Sequence, residues 1–371
     1  MIFTRYLYLK DEVEISLTTA ILEKKEESVF WAYELYHSGY KHETFALLWK
    51  IYYYFFSTLN PCFESYFLKK HKEWLHENKD VYVAIIAKNL MIRPFNLDVF
   101  FLHKINTHLE FEEESPKKES LNKLLNSPSK KYAEIAAAIF LDKNDVGQAA
   151  NTIFAHFDAG KHAMGKQFAK QQKFLEGQID ARIILVSRMM MLETDKKGRS
   201  FYVIVEPEEV VMYETILCST ETKLCTETIR AYKPYQILQM ACLYSIDQHN
   251  YLSLFETERT KYKNPMNAYH YFWLFHASTT PVWAERLKQF QGTVCTETKR
   301  VRFSSDQMEE DFYDNYGYEP DEQKLETQRK NISHIIHEKT WSQMYHKYRE
   351  SGILDIEEEI VEAFEKIRLF E

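Results

Sequence analysis

Glycine is scarce in this chain, nine in 371 residues, about a third of the share an ordinary globular protein carries. Glycine supplies positive φ and close backbone approach without steric cost. So low a content excludes folds that need many tight turns, phosphate-cradling loops or barrel corners. Proline also numbers only nine, so long helices meet few breakers. The five cysteines, at 62, 218, 225, 242 and 295, are odd in number and scattered. That excludes a disulfide framework and reads as free, mostly buried thiols in a reducing compartment. No apolar run reaches the ~18 residues of a membrane helix, so no membrane insertion is expected. The stretch "MIFTRYLYLKDEVE" carries charge too early for a secretory leader. A net charge of −8 and a pI near 6.0 exclude indiscriminate binding to nucleic acid or anionic membrane, which needs a positive field.

What the chain has in abundance is rings, 25 tyrosines and 25 phenylalanines. In "SVFWAYELYHSGYKHETFALLWKIYYYFF" (28–56), Val29, Ala32, Tyr33 and Tyr36 fall on one face of a helix. Ser38-Gly39 stops it, with Gly39 free to take the left-handed C-cap conformation. A second helix, 43–56, is apolar nearly all round and so predicts cover on several sides. Asn60-Pro61 breaks the chain, and a third helix runs to His76. Further helices are predicted at 79–90, 96–109, 121–127, 131–142 and 146–158. The ring stripes read as core, with an aromatic recognition face as the alternative. No clean period of 33 to 45 residues is present, so no repeat family is implied.

The character changes near residue 194. "FYVIV" (201–205) and the run 210–217 around Pro207 read as strands, and "TVCTETKRVRF" (293–303) as a half-exposed one. "CTETIR" at 225 and "CTETKR" at 295 are near-identical hexamers, read as chance in a Thr/Glu-rich sequence rather than paired strands. Helices return after 305, ending in "DIEEEIVEAFEKIRLF" with Ile356, Ile360, Phe364 and Ile367 spaced for one buried face. The expected fold is mainly α: an N-terminal antiparallel, irregular helical-repeat-like array, then a mixed α+β half with a small sheet and terminal helices. The corresponding spans are 1–193 (with a charged loop at 110–120), 194–304 and 305–371.

Motifs that suggest chemistry fail on their surroundings. "GKHAMGKQ" (160–167) fits a phosphate loop until Gln167, where a magnesium-binding hydroxyl belongs, and it follows a helix rather than a buried strand. "EPDEQK" (319–324) has the acids of a metal-dependent nuclease, but contiguous instead of on separate strands. Cys218 and Cys225 lack zinc spacing. The histidines of "HKEWLH" (71 and 76) and "HIIH" (334 and 337) read as surface residues. No catalytic, cofactor or metal residue is assigned, and a cleft assembled from residues distant in sequence stays open. Two sets of candidates remain. Phe312, Tyr313, Tyr316 and Tyr318, in a loop "FYDNYGYEP", offer ring area for a partner, or equally pack on the chain's own helices. Lys161, Lys166, Lys170 and Lys173 could meet phosphates, or else form a solvated face.

Four blocks, "WAYELYHSGYKHETFALLWKIYYYFFSTLNP" (31–61), "VEPEEVVMYET" (205–215), "FYDNYGYEPDEQ" (312–323) and "TWSQMYHKYRESGILDIEEE" (340–359), resemble a family of uncharacterised proteins from nucleocytoplasmic large DNA viruses, the giant-virus group. The likeness spans nearly the whole chain and implies viral origin. It also implies a setting inside the infected cell, in the cytoplasm, viral factory or virion, rather than secretion. It carries no catalytic signature and supplies no site residues. The expectation is a non-enzymatic interaction or scaffold protein with a helical binding layer for another viral or host protein. The alternative is a nucleic-acid-associated factor in viral transcription or replication, using the basic patches at 161–173, 259–263 and 299–302 with aromatics able to stack on bases.

Overall fold

A computed structural model describes residues 1–108, 146–157, 163–192, 201–214, 244, 262–316, 325 and 341–358. The protein is mainly α, with one small antiparallel sheet in its C-terminal half. Its helices are α1 (Lys10–Leu22), α2 (Ser28–His37), α3 (Lys41–Ile51), α4 (Phe63–Glu77), α5 (Val81–Met91), α6 (Asp98–His108), α7 (Val146–Phe157), α8 (Ala163–Phe174), α9 (Ala181–Leu192), α10 (Pro207–Glu214), α11 (Pro265–Tyr271), α12 (Trp273–Ala277), α13 (Pro281–Gln289), α14 (Asp306–Tyr316) and α15 (Trp341–Glu350). Between α13 and α14 lie β1 (Thr293–Cys295) and β2 (Arg300–Arg302). Among the described residues no helix is long and apolar enough to cross a membrane.

The helix endings follow from local chemistry. α2 stops where Gly39 takes φ +99°. The Tyr40 amide then donates to the Leu35 carbonyl and that of Gly39 to Tyr36, the two bonds that close a left-handed helix cap. α3 does not end at Ile51 but widens into a π-helical turn, Tyr52–Phe56, in which the Ser57 amide reaches five residues back to Tyr52. All five rings of that turn are buried.

The chain divides into two compact units. Unit 1 comprises Met1–Phe45, Lys70–Ile92 and Tyr202–His337, and unit 2 comprises Ala46–Lys69, Arg93–Phe201 and Glu338–Glu371. These assemblies cut across the contiguous spans expected from the sequence. In unit 1, α2 lies against α1, α5 and α10, and Phe30 stacks on Tyr244 at 3.7 Å and meets Trp31 edge-on at 5.0 Å. In unit 2, α9 packs on α6, α8 and the π turn, and Trp49 stacks on Phe67 at 3.7 Å. The ring stripes of 28–56 are therefore core, as read.

Two expectations are corrected. Residues 201–205 pair with no strand among the described residues, and the run at 210 belongs to α10, which Pro207 opens. Valine pairs suit strands, but Pro at a first helical turn followed by Glu208 and Glu209 suits a helix start better. His71 is not a surface residue: it is 2% exposed and stacks on Phe45 at 4.4 Å. Of the five thiols read as free and mostly buried, the two described are free, Cys62 exposed in the turn after Pro61 and Cys295 half-buried on the open hairpin. The strand read at 293–303 is that hairpin, in register Thr293↔Arg302, Val294↔Val301 and Cys295↔Arg300, and "CTETKR" makes its turn. The loop at 110–120, the helices at 121–127 and 131–142, "CTETIR", Cys218, Cys225, Cys242, His334, His337, "EPDEQK", Ile360, Phe364 and Ile367 lie outside the described residues.

Candidate functional site: an arginine between two rings

The N-terminal segment of unit 1 folds into a tight turn, with the Thr4 amide donating to Tyr8 at 2.9 Å. This turns Arg5 inward, 2% exposed, onto Glu34 of α2, which is fully buried. Arg5 Nε donates to Glu34 Oε2 at 2.8 Å and its Nη2 to the Tyr213 carbonyl at 2.7 Å. The second Glu34 oxygen accepts from the Tyr6 amide at 2.9 Å. The Ser38 hydroxyl accepts from the Arg5 amide at 2.8 Å and donates to the Glu34 carbonyl at 2.5 Å. The pair's polar demand is met by named partners on every side, which is what a buried ion pair requires.

α13 is pinned to the same segment. Thr280 donates to the Phe3 carbonyl, Trp283 Nε1 to the Thr4 carbonyl at 3.0 Å, and the Val282 amide to the Ser38 carbonyl at 3.2 Å. Helical spacing then puts Arg286 one turn beyond Trp283, on the same side. Its guanidinium carbon lies 4.4 Å from the Trp283 ring centre and 4.5 Å from that of Tyr316, at the end of α14. Stacking between rings stabilises a cation but satisfies no N–H. Nη1 of Arg286 is buried and has no hydrogen-bond partner. Burial pushes this guanidinium down to about 10, and the like charge of Arg5 adds to the effect against the opposing influence of Tyr316, Tyr6 and Glu34. Arg286 therefore stays charged at neutral pH. The buried Arg5 and Glu34 and the half-buried Arg286 together carry a net charge of +1.

Beside it the sequence candidates are brought together. Phe312 is fully buried, packing on Phe290 at 5.7 Å and Phe303 at 5.0 Å. It is helix core, not a loop ring open to a partner. Tyr313 and Tyr316 are half-buried above it, at 6.2 Å from Phe303 and 6.0 Å from Phe290 respectively. Tyr318 lies outside the described residues. The same elements carry charges of both signs: Lys299, Arg300 and Arg302 are exposed on the hairpin, and Asp306, Glu309, Glu310 and Asp314 are exposed on α14.

The lysine set falls elsewhere, in unit 2. Lys166, Lys170 and Lys173 are exposed on α8, spaced for one side of that helix, and Lys161 lies outside the described residues. Gly165 and Lys166 are inside a helix, so these residues form no phosphate loop.

Unit 2 also holds an ionisable line that the sequence reading missed. The Tyr54 hydroxyl is 2.9 Å from His103 Nδ1, and His103 Nε2 is 3.5 Å from Asp180, long for a hydrogen bond. Arg182 Nε holds both Asp180 oxygens, at 2.9 and 2.7 Å. Burial opposes ionisation of Asp180, but the nearby His103 and the bonds from Arg182 outweigh it and keep the carboxyl well below its usual range. A carboxylate so engaged is a weak base, and burial keeps His103 neutral. The line joins the π turn, α6 and the entry to α9 and supplies no free acid or base. Among the described residues no group of three His, Cys, Asp or Glu is placed to hold a metal.

Matched against protein-family models, curated proteins and solved structures, the chain finds no counterpart.

Proposed function

We propose that the chain is a virus-encoded interaction or scaffold protein that works by binding another viral or host protein rather than by catalysis. The observation that carries this reading is the corner formed by α13, the hairpin and α14. Half-buried Tyr313 and Tyr316 stand on a bed of Phe290, Phe303 and Phe312, with Arg286 between rings and exposed charges of both signs on the hairpin and α14. Aromatic and arginine anchors inside a polar rim are how binding energy is concentrated at protein interfaces. The two described cysteines, both free thiols, suit the infected-cell cytoplasm, a viral factory or the virion. The test is affinity purification from infected cells with the wild type and a Tyr313→Ser, Tyr316→Ser variant. A partner is expected with the first and lost with the second. Recovery of the wild type alone at every stage of infection would overturn the reading.

A second reading, a nucleic-acid-associated factor in viral transcription or replication, is favoured by the hairpin. A two-stranded ribbon fits a major groove, and this one exposes Lys299, Arg300 and Arg302. The acids of α14 and the net charge of −8 oppose it. Titration against single- and double-stranded DNA and RNA at two salt concentrations separates the two. A complex that weakens with salt and is lost on Arg300→Ser, Arg302→Ser would favour this second reading.

A further inference from the structure

We infer that Arg286 seats a carboxylate carried by an acidic side chain of the protein partner. The inference rests on the partner-binding reading above for the source of that carboxylate, and on the geometry of unit 1 for its chemistry.

A fold has no reason of its own to keep this cation. Arg5 is matched by Glu34, a carbonyl and a ring, whereas the half-buried Arg286 makes no ion pair among the described residues and leaves its buried Nη1 open. A buried polar atom without a partner is costly, and well-packed apolar residues replace such groups with no loss or a gain in stability. Residues that break a local rule in this way mark functional positions. The local charge selects the ligand. A net +1 is neutralised by one monoanion, while a phosphate dianion would leave the site negative in a low-dielectric surrounding. The walls are indole and phenol rather than a nest of backbone amides, and the open Nη1, with its two N–H groups, is a donor for a carboxylate. Tyr316, the last residue of α14 and only half-buried, is the ring that yields for entry. The ring of Trp283 is fixed from behind by Thr4. The partner's acidic residue would then be the centre of the contact and the Tyr313 area its rim.

The experiment uses the full-length chain and acetate as the probe, with sodium chloride and inorganic phosphate at matched ionic strength. Thermal unfolding is followed for the wild type and Arg286→Met. Acetate is expected to raise the wild-type Tm saturably, by about 1–2 °C at tenfold excess over its dissociation constant, with phosphate giving less. Arg286→Met is expected to melt in chloride at or above the wild-type Tm and to ignore acetate. Tyr316→Ala is expected to keep the acetate response, because the anion contacts Arg286 and not the ring. No acetate response in the wild type, or one retained in Arg286→Met, overturns the inference. So does phosphate acting as strongly as acetate, or an Arg286→Met chain that fails to fold, which would make the arginine a structural cation. If acetate has no effect while tyrosine-dependent capture persists, the carboxylate inference fails alone. If acetate binds but no partner is captured, the partner-binding reading fails, and with it the assignment of the carboxylate to a protein.

Discussion

At Gly39 an added methyl group would stand 2.4 Å from Cβ of Pro281, in a backbone conformation with φ of +99°. Both the close approach and the left-handed geometry demand glycine there. Gly39→Ala is expected to cost about 2–4 kcal/mol, combining backbone strain with overpacking against a rigid ring, measured as a lowered urea midpoint at unchanged slope. The need for a left-handed residue was readable in "HSGY". The neighbour that makes it strict lies more than 200 positions away and left no local trace. Arg286 was illegible for the same reason. "PVWAER" does contain Trp283 and Arg286 one helical turn apart, but Arg5, Glu34 and Tyr316 come from three other segments. Phe312 was read as available because "FYDNYGYEP" looks like a turn-rich loop. The helix that begins at Asp306 runs through it and buries that ring.

At the scale of elements, alternation and ring spacing gave α2, α3, α5, α6 and α7 close to their observed limits. They failed at 201–214, where β-branched residues masked a proline-initiated helix. The π turn was not foreseen either. A run of "YYYFF" at successive positions presents rings in every direction, and one extra residue per turn lets all five be covered. Its polar ends are anchored individually: the Tyr53 hydroxyl donates to Glu64 at 2.5 Å, and Ser187 donates to Ser57 at 2.7 Å. Arg188 completes the group by binding both oxygens of Glu64, the two side chains being 5% and 12% exposed. Arg188→Met is expected to cost about 3–5 kcal/mol, because it strands a buried carboxylate. Adding Glu64→Gln should recover most of that loss. A double-mutant cycle by chemical denaturation reads the coupling, and strictly additive effects would exclude it.

At the scale of the molecule, the two units answer to pH with opposite sign. In unit 1, burial and then the nearby His42 hold His71 down at about 4, against 6.5 when free. Its contribution is full above pH 6.5 and is lost as pH falls through 4. In unit 2, burial raises Asp98 to about 6 from 3.8, although it accepts from the Asp355 amide at 2.7 Å. That contribution is present below pH 3.8 and is lost as pH rises through 6. Each shift corresponds to roughly 3 kcal/mol. Regional hydrogen exchange at pH 7 and pH 4.5, corrected for intrinsic rates, should show α4 and the start of α3 near His71 opening more readily at the lower pH and the start of α6 less readily. His71→Phe should remove the first effect. The mainly helical class was legible from glycine scarcity and ring periodicity, but the interleaving of the units was not, since periodicity reports what a segment buries and not which segment covers it.

That interleaving bears on how the protein is made. Phe3 and Thr4 find Thr280 and Trp283 across separations of 277 and 279 residues. At about 5–20 residues per second the ribosome needs on the order of 15–55 s to deliver them. Through that interval the nascent chain carries a tryptophan- and tyrosine-lined face with its final cover still unsynthesised, so prematurely terminated products should be sticky clients of cellular chaperones.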